Sequence, residues 1–240
     1  MEKFILDTHT HTVASGHAYG TVLEMAKAAS EEGLELLAIT DHAPKLPGTC
    51  GEMHFRNFKV IDKILFGVEI LMGVELNIID YKGTVDMERG LLRQMAIGIA
   101  SMHTVCLARG TEKENTAGLV KAMENPGVHI IGHPDDGRYP IDYETLVREA
   151  KEQRVLIELN NSSLMPGSGR KNSVENLEKI LSFCERYGQE IIVNTDSHFP
   201  TSVGRFDKAR ELLLRVRFPE ELIVNTNVEK LKKYLNRSGL

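Results

Sequence analysis

Seven of the nine histidines of this 240-residue chain stand beside a turn, a proline or a carboxylate, just after an apolar run of β type. The first group is Asp7-Thr8-His9-Thr10-His11, which follows Phe4 to Leu6, and the last is Asp196-Ser197-His198. Side chains two residues apart in a strand share a face, so His9 and His11 can point at one ion. Imidazole and carboxylate suit zinc, manganese or iron. The pattern predicts a metal site.

The candidate metal ligands share one property, which is that each lies at or beyond the end of a predicted strand. Any one of these histidines alone would be interpreted as an ordinary surface or core residue, but seven of them with two carboxylates favour a common site. One zinc ion needs about four ligands, and a catalytic ion keeps a position open for water. The set therefore predicts two to three divalent ions, zinc first, with manganese or iron as alternatives. Its members are His9, His11, His17, His42, Glu75, His103, His133, Asp196 and His198.

The other candidates near these ligands have supporting roles. Asp41 adjoins His42 and faces the opposite way in an extended chain, so it either orients a neighbouring imidazole from behind or caps the following segment. Pro134 is expected to hold His133 in an extended conformation. His54 and His129 are the two histidines left outside the ligand set.

A polar loop near the chain's third quarter supplies candidate substrate contacts. It runs from Asn160-Asn161-Ser162-Ser163 through two glycines to Arg170 and Lys171. A guanidinium is well suited to a phosphate held by metal ions, so Arg170, with Asn161, is a candidate substrate-binding residue on an exposed, flexible loop. The alternative is a solvated loop with ordinary charges.

Strands and helices are predicted to alternate along the chain. This order predicts βα units and a parallel sheet. The predicted strands are Phe4 to Asp7, Leu36 to Thr40, Ile70 to Leu76, Met95 to Ser101, Val128 to Gly132, Val155 to Leu159 and Ile191 to Thr195. The predicted helices are Val22 to Glu32, Phe58 to Leu65, Thr116 to Glu124, Asp142 to Glu152 and Ser173 to Tyr187, with one or two closing helices in Phe206 to Leu240.

The positions of the polar residues favour a closed barrel over an open sheet. Every predicted strand ends in a metal-capable or amide group. A closed parallel barrel brings all these ends to one rim, whereas an open sheet brings together only those near its switch point. The expected fold is α/β, a single-domain, distorted seven-stranded β/α barrel spanning residues 1–240, with the metal cluster at the carboxyl-terminal rim.

Composition limits the other classes of function. An apolar fraction of 42% and a charged fraction of 26% are typical of a folded, soluble protein. A net charge of −5 argues against a dedicated nucleic-acid surface, and no apolar stretch approaches the ~20 residues that cross a bilayer. Three scattered cysteines and the lack of a signal-peptide pattern predict a reducing, cytoplasmic setting.

Five motifs in order resemble those of the PHP (polymerase and histidinol phosphatase) family. The resemblance covers nearly the whole chain and is closest to small stand-alone bacterial phosphatases of the YcdX type, which share the segments Ala14 to Tyr19, Asn160 to Ser163 and Phe218 to Glu220. The five motifs are His9 to Thr12, Thr40 to His42, Gly73 to Glu75, Gly132 to Pro134 and Asp196 to His198.

The resemblance implies a distorted seven-stranded barrel that holds three metal ions, usually zinc. It also implies how the ligands are shared among the ions, with Glu75 as a bridge. One ion would be held by His9, His11, Glu75 and Asp196, the second by Glu75, His103 and His133, and the third by His17, His42 and His198.

The expected activity is hydrolysis of a small phosphate monoester by a metal-activated hydroxide on this two- to three-metal cluster. The expected partner is therefore a small phosphorylated substrate. An amidohydrolase is one alternative, although that family bridges its metals with a modified lysine, and no predicted strand ends in lysine. A metal-stabilised binding module without turnover is the other alternative.

Overall fold

The computed structural model describes residues 1–236. Strands and helices alternate along most of this length, as expected for an α/β protein. The strands are β1 (Leu6–Asp7), β2 (Leu36–Ile39), β3 (Ile64–Leu65), β4 (Val68–Met72), β5 (Val74–Asn77), β6 (Gly98–Ser101), β7 (Ile130–Ile131), β8 (Leu156–Asn160) and β9 (Ile191–Asn194). The α-helices are α1 (Val22–Glu31), α2 (Glu52–Arg56), α3 (Arg89–Leu92), α4 (Glu112–Met123), α5 (Tyr143–Glu152), α6 (Ser173–Tyr187), α7 (Asp207–Val216) and α8 (Val228–Leu235).

The strands form two sheets, with the orders β1-β2-β4-β3 and β5-β6-β7-β8-β9. All neighbours pair in parallel except β3, which forms a short antiparallel pair with β4. Seven strands in one closed barrel were expected, so the strand count is wrong. Isolated parallel bridges, Thr10 with Ser197 and His42 with Glu75, link the two sheets.

Gly73 explains why one predicted strand became two. The run from Ile70 to Leu76 was predicted as a single strand, but the chain leaves the first sheet after Met72 and enters the second at Val74. A Cβ atom on Gly73 would lie 2.4 Å from the Ile97 carbonyl oxygen, so only glycine lets the backbones approach this closely. The shift places Glu75 at the junction of the sheets.

One apolar cluster lines the inner faces of both sheets. It is fully buried and includes side chains from six strands, alternating with outward residues that pack beneath the helices. Its strand members are Leu6, Leu36, Ala38, Ile99, Ile130, Leu156 and Ile192. This shared core holds the carboxyl ends of the parallel strands at one side of the molecule.

Most predicted helices are confirmed within a few residues, and Ser173–Tyr187 is confirmed in full. Thr21 and Thr111 begin α1 and α4 with a capping box that satisfies free backbone N–H groups. The helix predicted from Phe58 to Leu65 is wrong, because only Phe58–Val60 forms a 3-10 turn before β3. The predicted closing helices are α7 and α8, and the end of that prediction, at residues 237–240, lies outside the described residues.

Within residues 1–236, no helix has the length and apolar character needed to cross a membrane.

Candidate metal centre

The Glu75 carboxylate, almost fully buried in β5, lies at the centre of a cluster of imidazole rings. Burial alone would raise the pKa of this carboxyl group, but the facing imidazoles of His42, His9 and His103 hold that pKa well below its usual range. Glu75 Oε1 lies 2.9 Å from His133 Nε2 and 3.3 Å from His103 Nε2, and Oε2 lies 2.7 Å from His42 Nδ1, 3.4 Å from His9 Nε2 and 3.5 Å from His11 Nε2.

Asp196, just beyond β9, completes a group of four ligand atoms around a common space. Its Oδ1 lies 3.6 Å from His9 Nε2 and 3.2 Å from His11 Nε2, and both nitrogens also face Glu75 Oε2. Ligand atoms about 2.1 Å from a tetrahedral zinc ion lie about 3.4 Å apart. The spacing of these atoms therefore fits one ion between them.

Unsatisfied polar atoms around the same space support this fit. His9 Nε2, His11 Nε2 and Glu75 Oε2 are buried and have no hydrogen-bond partner among residues 1–236. A buried polar atom without a partner costs about 1–3 kcal/mol, so three that face one another require a further group. A bound cation would satisfy all three at once.

Hydrogen bonds fix the protonation of several rings in the form that metal ligands need. Ser15 Oγ donates to Asp41 Oδ1 at 2.6 Å, so it can only accept from His11 Nδ1, 3.0 Å away. The Asn77 amide donates to Ala43 O and Asp86 Oδ2, which turns its oxygen towards His103 Nδ1 at 2.7 Å. Each ring thus carries its proton on Nδ1 and presents an Nε2 lone pair to the cluster.

At the outer edge of the cluster, His17 and His198 also donate hydrogen bonds from Nδ1. His17 Nδ1 donates to Ser15 O, and His198 Nδ1 donates to Asp196 O. In two neutral rings the Nε2 atoms are then both lone-pair acceptors, yet they lie 3.0 Å apart. Two acceptors at this distance repel each other unless a proton or a metal ion lies between them, so this edge also suits an ion.

The candidate ligands that lie within coordination reach of one another form three overlapping groups. These groups differ from the division of ligands among ions that the family resemblance implies. His42 contacts both Glu75 and the outer histidines. His17 lies near His198 but belongs to no group of three among residues 1–236. The groups are His9, His11 and Asp196; His42, Glu75 and His103; and His11, His42 and His198.

Two candidate ligands have strained backbones. His133 has a φ of 29° and Asp196 a φ of 54°, values that favour glycine. The expectation that Pro134 keeps His133 extended is therefore wrong. The His133 N–H donates to Glu158 Oε2 at 2.7 Å, and this buried bond helps to hold the residue in the strained form. Such strain clusters at functional sites.

Seven of the nine candidate ligands, all except His9 and His11, line a pocket of about 470 Å³. Small-molecule sites usually enclose roughly 300–1,000 Å³. Besides the ligands, the lining includes Arg138, Arg170 and an apolar wall of Leu46, Pro47 and Val105.

The sequence model of the PHP domain matches residues 7–239. The chain belongs to the PHP domain family. A protein of Clostridium novyi named as a probable phosphatase is 46% identical over 237 residues, which cover 99% of this chain and 96% of that protein.

Two solved structures share the PHP fold of this chain. Histidinol phosphate phosphatase from Lactococcus lactis, solved with zinc, L-histidinol and phosphate, has a TM-score of 0.64 at 18% identity and covers 91% of this chain and 95% of its own. A chain in a cryo-EM structure of archaeal ribonuclease P with mature tRNA has a TM-score of 0.61 at 18% identity, over 98% and 92%. At this identity the likeness shows the fold alone.

Glu158 of the PHP domain is a functional candidate that sequence reasoning missed. It is buried in the middle of β8, and burial would raise its pKa, but His9 lowers that pKa below the usual value. Glu158 Oε1 accepts from His9 Nδ1 at 2.7 Å and from Asn194 Nδ2, and Oε2 accepts from the His133 N–H and Asn160 Nδ2. The sequence feature that could have indicated this role is a carboxylate within an apolar strand, because a buried carboxylate requires hydrogen-bond donors around it.

Replacing Glu158 with Gln should weaken zinc binding about 10- to 100-fold. All four groups around Glu158 are donors, so an amide NH₂ would face a donor in either orientation and would displace His9 or His133. Competition with a chromogenic chelator measures the affinity. Glu185→Gln, an exposed substitution on α6, is the matched control. Equal zinc affinities in the two variants would contradict the role given to Glu158.

Asp41 lies behind the cluster, as one of its two predicted roles requires. It accepts from the Thr12 backbone and hydroxyl and from Ser15 Oγ, and it lies 3.3 Å from His54 Nε2. Burial would raise its pKa, but the facing His54 imidazole and then the hydrogen bond from Ser15 lower the pKa to about 2. Through Ser15, Asp41 orients His11.

Arg170 was predicted to be exposed because it lies in a polar loop, and this prediction is wrong. Its side chain is 16% exposed, and its guanidinium donates to Asn160 Oδ1, Ser163 Oγ and Asp196 Oδ2. Asp135, fully buried nearby, has no side-chain hydrogen-bond partner among residues 1–236. Burial would lower the pKa of Arg170, but Asp196 and Asp135 raise it. The expectation of an exposed Arg170 overlooked these carboxylates.

The remaining sequence candidates lie away from the metal pocket. Asn161 Oδ1 accepts the Ala209 N–H at the start of α7, and the residue lines a neighbouring cavity of about 550 Å³. His129 Nδ1 accepts the Gly98 N–H at the amino end of β6. His129 was left outside the ligand set, and it lines a separate cavity.

Proposed function

We propose that this PHP domain is a metal-dependent phosphatase that hydrolyses a small phosphate monoester. The observation that carries the proposal is the set of imidazole nitrogens and carboxylate oxygens that face one another, unpaired, beside a pocket that His42 and Glu75 also line. The relative of C. novyi that is named as a probable phosphatase supports it. The proposal takes residues 1–240 as one catalytic domain, which the family match over residues 7–239 supports.

In this proposal the nine predicted ligands hold two to three divalent ions, with zinc first and manganese or iron as alternatives. Glu75 has oxygens facing both sides of the cluster, so it would bridge two ions. Bound ions would supply a nucleophile from water at neutral pH and offset charge on the phosphoryl oxygens. The zinc in the L. lactis phosphatase supports this choice of metal.

The side chains around the ions would bind and orient the phosphoryl group. Three of the five N–H donors of the Arg170 guanidinium already have acceptors among residues 1–236. The other two can still donate to a phosphoryl oxygen. Arg138 reaches the same pocket but is held by Asp136 through Nε at 2.7 Å. Arg170 is therefore the principal phosphate contact, and Asp41 positions His11. Asn161 would act at the adjoining cavity.

We expect two to three transition-metal ions per chain in protein purified without chelator, because nine ligands exceed the needs of one ion. Elemental analysis measures the content. The same protein should hydrolyse phosphate monoesters and lose activity on chelation, with recovery on adding zinc or manganese. Amide and lactam substrates serve as the comparison. One ion or fewer after reconstitution, or hydrolysis of amides alone, would contradict the proposal.

A further inference from the structure

The metal pocket has two different sides. Its floor is formed by the buried ligands His42, Glu75, His133 and Asp196 with Arg170, whereas Leu46, Pro47 and Val105 form an apolar wall, beside which the exposed Thr104 also lines the pocket. Val105 is 64% exposed. A single exposed valine is unremarkable, but here three apolar side chains from two separate segments converge on one cavity. This wall is what a substrate's organic group would meet once its phosphate lies on the floor.

The Leu46–Pro47 side of the wall is held by a tight turn. The Thr49 N–H donates to Leu46 O, Pro47 takes the second position and Gly48 has a φ of 89° at the third, the features of a type II turn. The turn is pressed against the loop that carries His17, since a Cβ on Gly16 would lie 2.0 Å from the Gly48 carbonyl oxygen. The wall is therefore rigid relative to the cluster.

The Val105 side is fixed in the same way. The backbone N–H groups of Cys106 and Leu107 both donate to His103 O at 2.9 Å, and the Tyr139 hydroxyl donates to Leu107 O. Val105 thus lies at the tip of a turn that begins at a candidate ligand. A preformed apolar surface at a fixed distance from the ions binds a flat or hydrocarbon group without a cost for ordering.

We propose that the substrate is a phosphate monoester whose leaving group is aromatic or otherwise rich in hydrocarbon, and that this group packs against Leu46, Pro47 and Val105. The inference rests on the proposed phosphatase function. The hydroxyl groups of a polyol would lose hydrogen bonds to water against this wall, which would weaken their binding. An aromatic ring gains from the same contact, in proportion to the apolar area that is buried.

The test measures the binding of two phosphonates that cannot be hydrolysed. Isothermal titration of the metal-loaded enzyme compares phenylphosphonate with methylphosphonate, which share the metal-binding group and differ in the apolar part. The wild-type enzyme should bind the phenyl compound about tenfold more tightly. Val105→Ser should reduce this preference about three- to fivefold, because a polar side chain replaces part of the wall.

Two further variants locate the effect. Val60→Ser is the matched control, because Val60 is an equally exposed valine, 65% exposed, on the turn Phe58–Val60, and it should keep the wild-type preference. Phe199→Ser examines the adjoining cavity, which shares Asp196 and His198 with the metal pocket. This variant should also keep the preference if the organic group lies on the Val105 side.

Each other outcome overturns the inference. Equal binding of the two phosphonates by the wild-type enzyme, an unchanged preference in Val105→Ser, or a loss confined to Phe199→Ser would all reject the wall as the leaving-group site. Hydrolysis of phosphate esters together with any of these results would leave the phosphatase proposal in place. Binding of neither phosphonate and hydrolysis of no phosphate ester would reject both.

Discussion

Glu75→Gln should reduce kcat/KM for a phosphate ester about a thousandfold or more, the largest loss expected of any single ligand. The carboxylate faces five imidazole nitrogens from five different rings, with one oxygen towards each half of the cluster. Glutamine removes the charge and turns an NH₂ group towards nitrogens that must keep their lone pairs for the ions. Both activity and metal content should fall, as steady-state kinetics and elemental analysis would show.

His17→Asn is the comparison for Glu75→Gln. His17 is exposed at the edge of the cluster, where its Nε2 lies 3.0 Å from His198 Nε2 and its ring stacks on His42. Its loss should remove at most one ion and reduce kcat/KM about tenfold. Equal losses in the two variants would show that the ions are shared in some other way, with no special position for the Glu75 carboxylate.

The candidate ligands predicted from the sequence lie together in the structure because most of them follow a strand end, which is a local feature. In a parallel βα architecture, a histidine or carboxylate that follows an apolar strand must emerge on the same side as its counterparts. This rule applies without any knowledge of the three-dimensional structure. It predicts that His9, His133 and Asp196 lie close together although they are far apart in the chain. It also explains why His54 and His129, which do not follow a strand, were left out of the ligand set.

The split at Gly73 could not be predicted in the same way. The residues from Ile70 to Leu76 are apolar apart from Gly73 and Glu75, and a glycine in a strand indicates a close backbone approach without showing that the second half pairs with different strands. The change depends on the Ile97 backbone, which lies too close for any side chain at position 73. The two-residue β3 is likewise fixed by its pairing with Val68 and Glu69 rather than by its own pattern.

The residues behind the ligands were missed for a related reason. Ser15, Asn77 and Glu158 each act through several hydrogen bonds, most of them to partners distant in the chain, so their types alone indicate only a polar residue. Of the three, Glu158 could most easily have been predicted, because a carboxylate flanked by Ile157 and Leu159 in a buried strand must be paired. The partner, His9, is known only once the strands are placed.

Arg170→Ala should lower both stability and activity, and the loss of stability should depend on metal. In the metal-free protein the guanidinium offsets the buried carboxylates Asp196 and Asp135. Removing one partner of a largely buried ion pair costs about 3 kcal/mol, which for a domain of this size lowers Tm by about 6–12 °C. Bound ions would offset Asp196 instead, so the metal-loaded variant should lose less.

The activity of Arg170→Ala separates a phosphate contact from a purely structural role. Loss of a charge-assisted hydrogen bond to phosphate should reduce kcat/KM about 10- to 100-fold and weaken inhibition by free phosphate in parallel. Lys171→Ala, which removes the neighbouring exposed cation, is the matched control and should change neither Tm nor phosphate inhibition. If Arg170→Ala lowers Tm but leaves phosphate inhibition at the wild-type value, the guanidinium only stabilises Asp196 and Asp135. Phosphate recognition would then rest on the ions and on Arg138, the other arginine that lines the pocket.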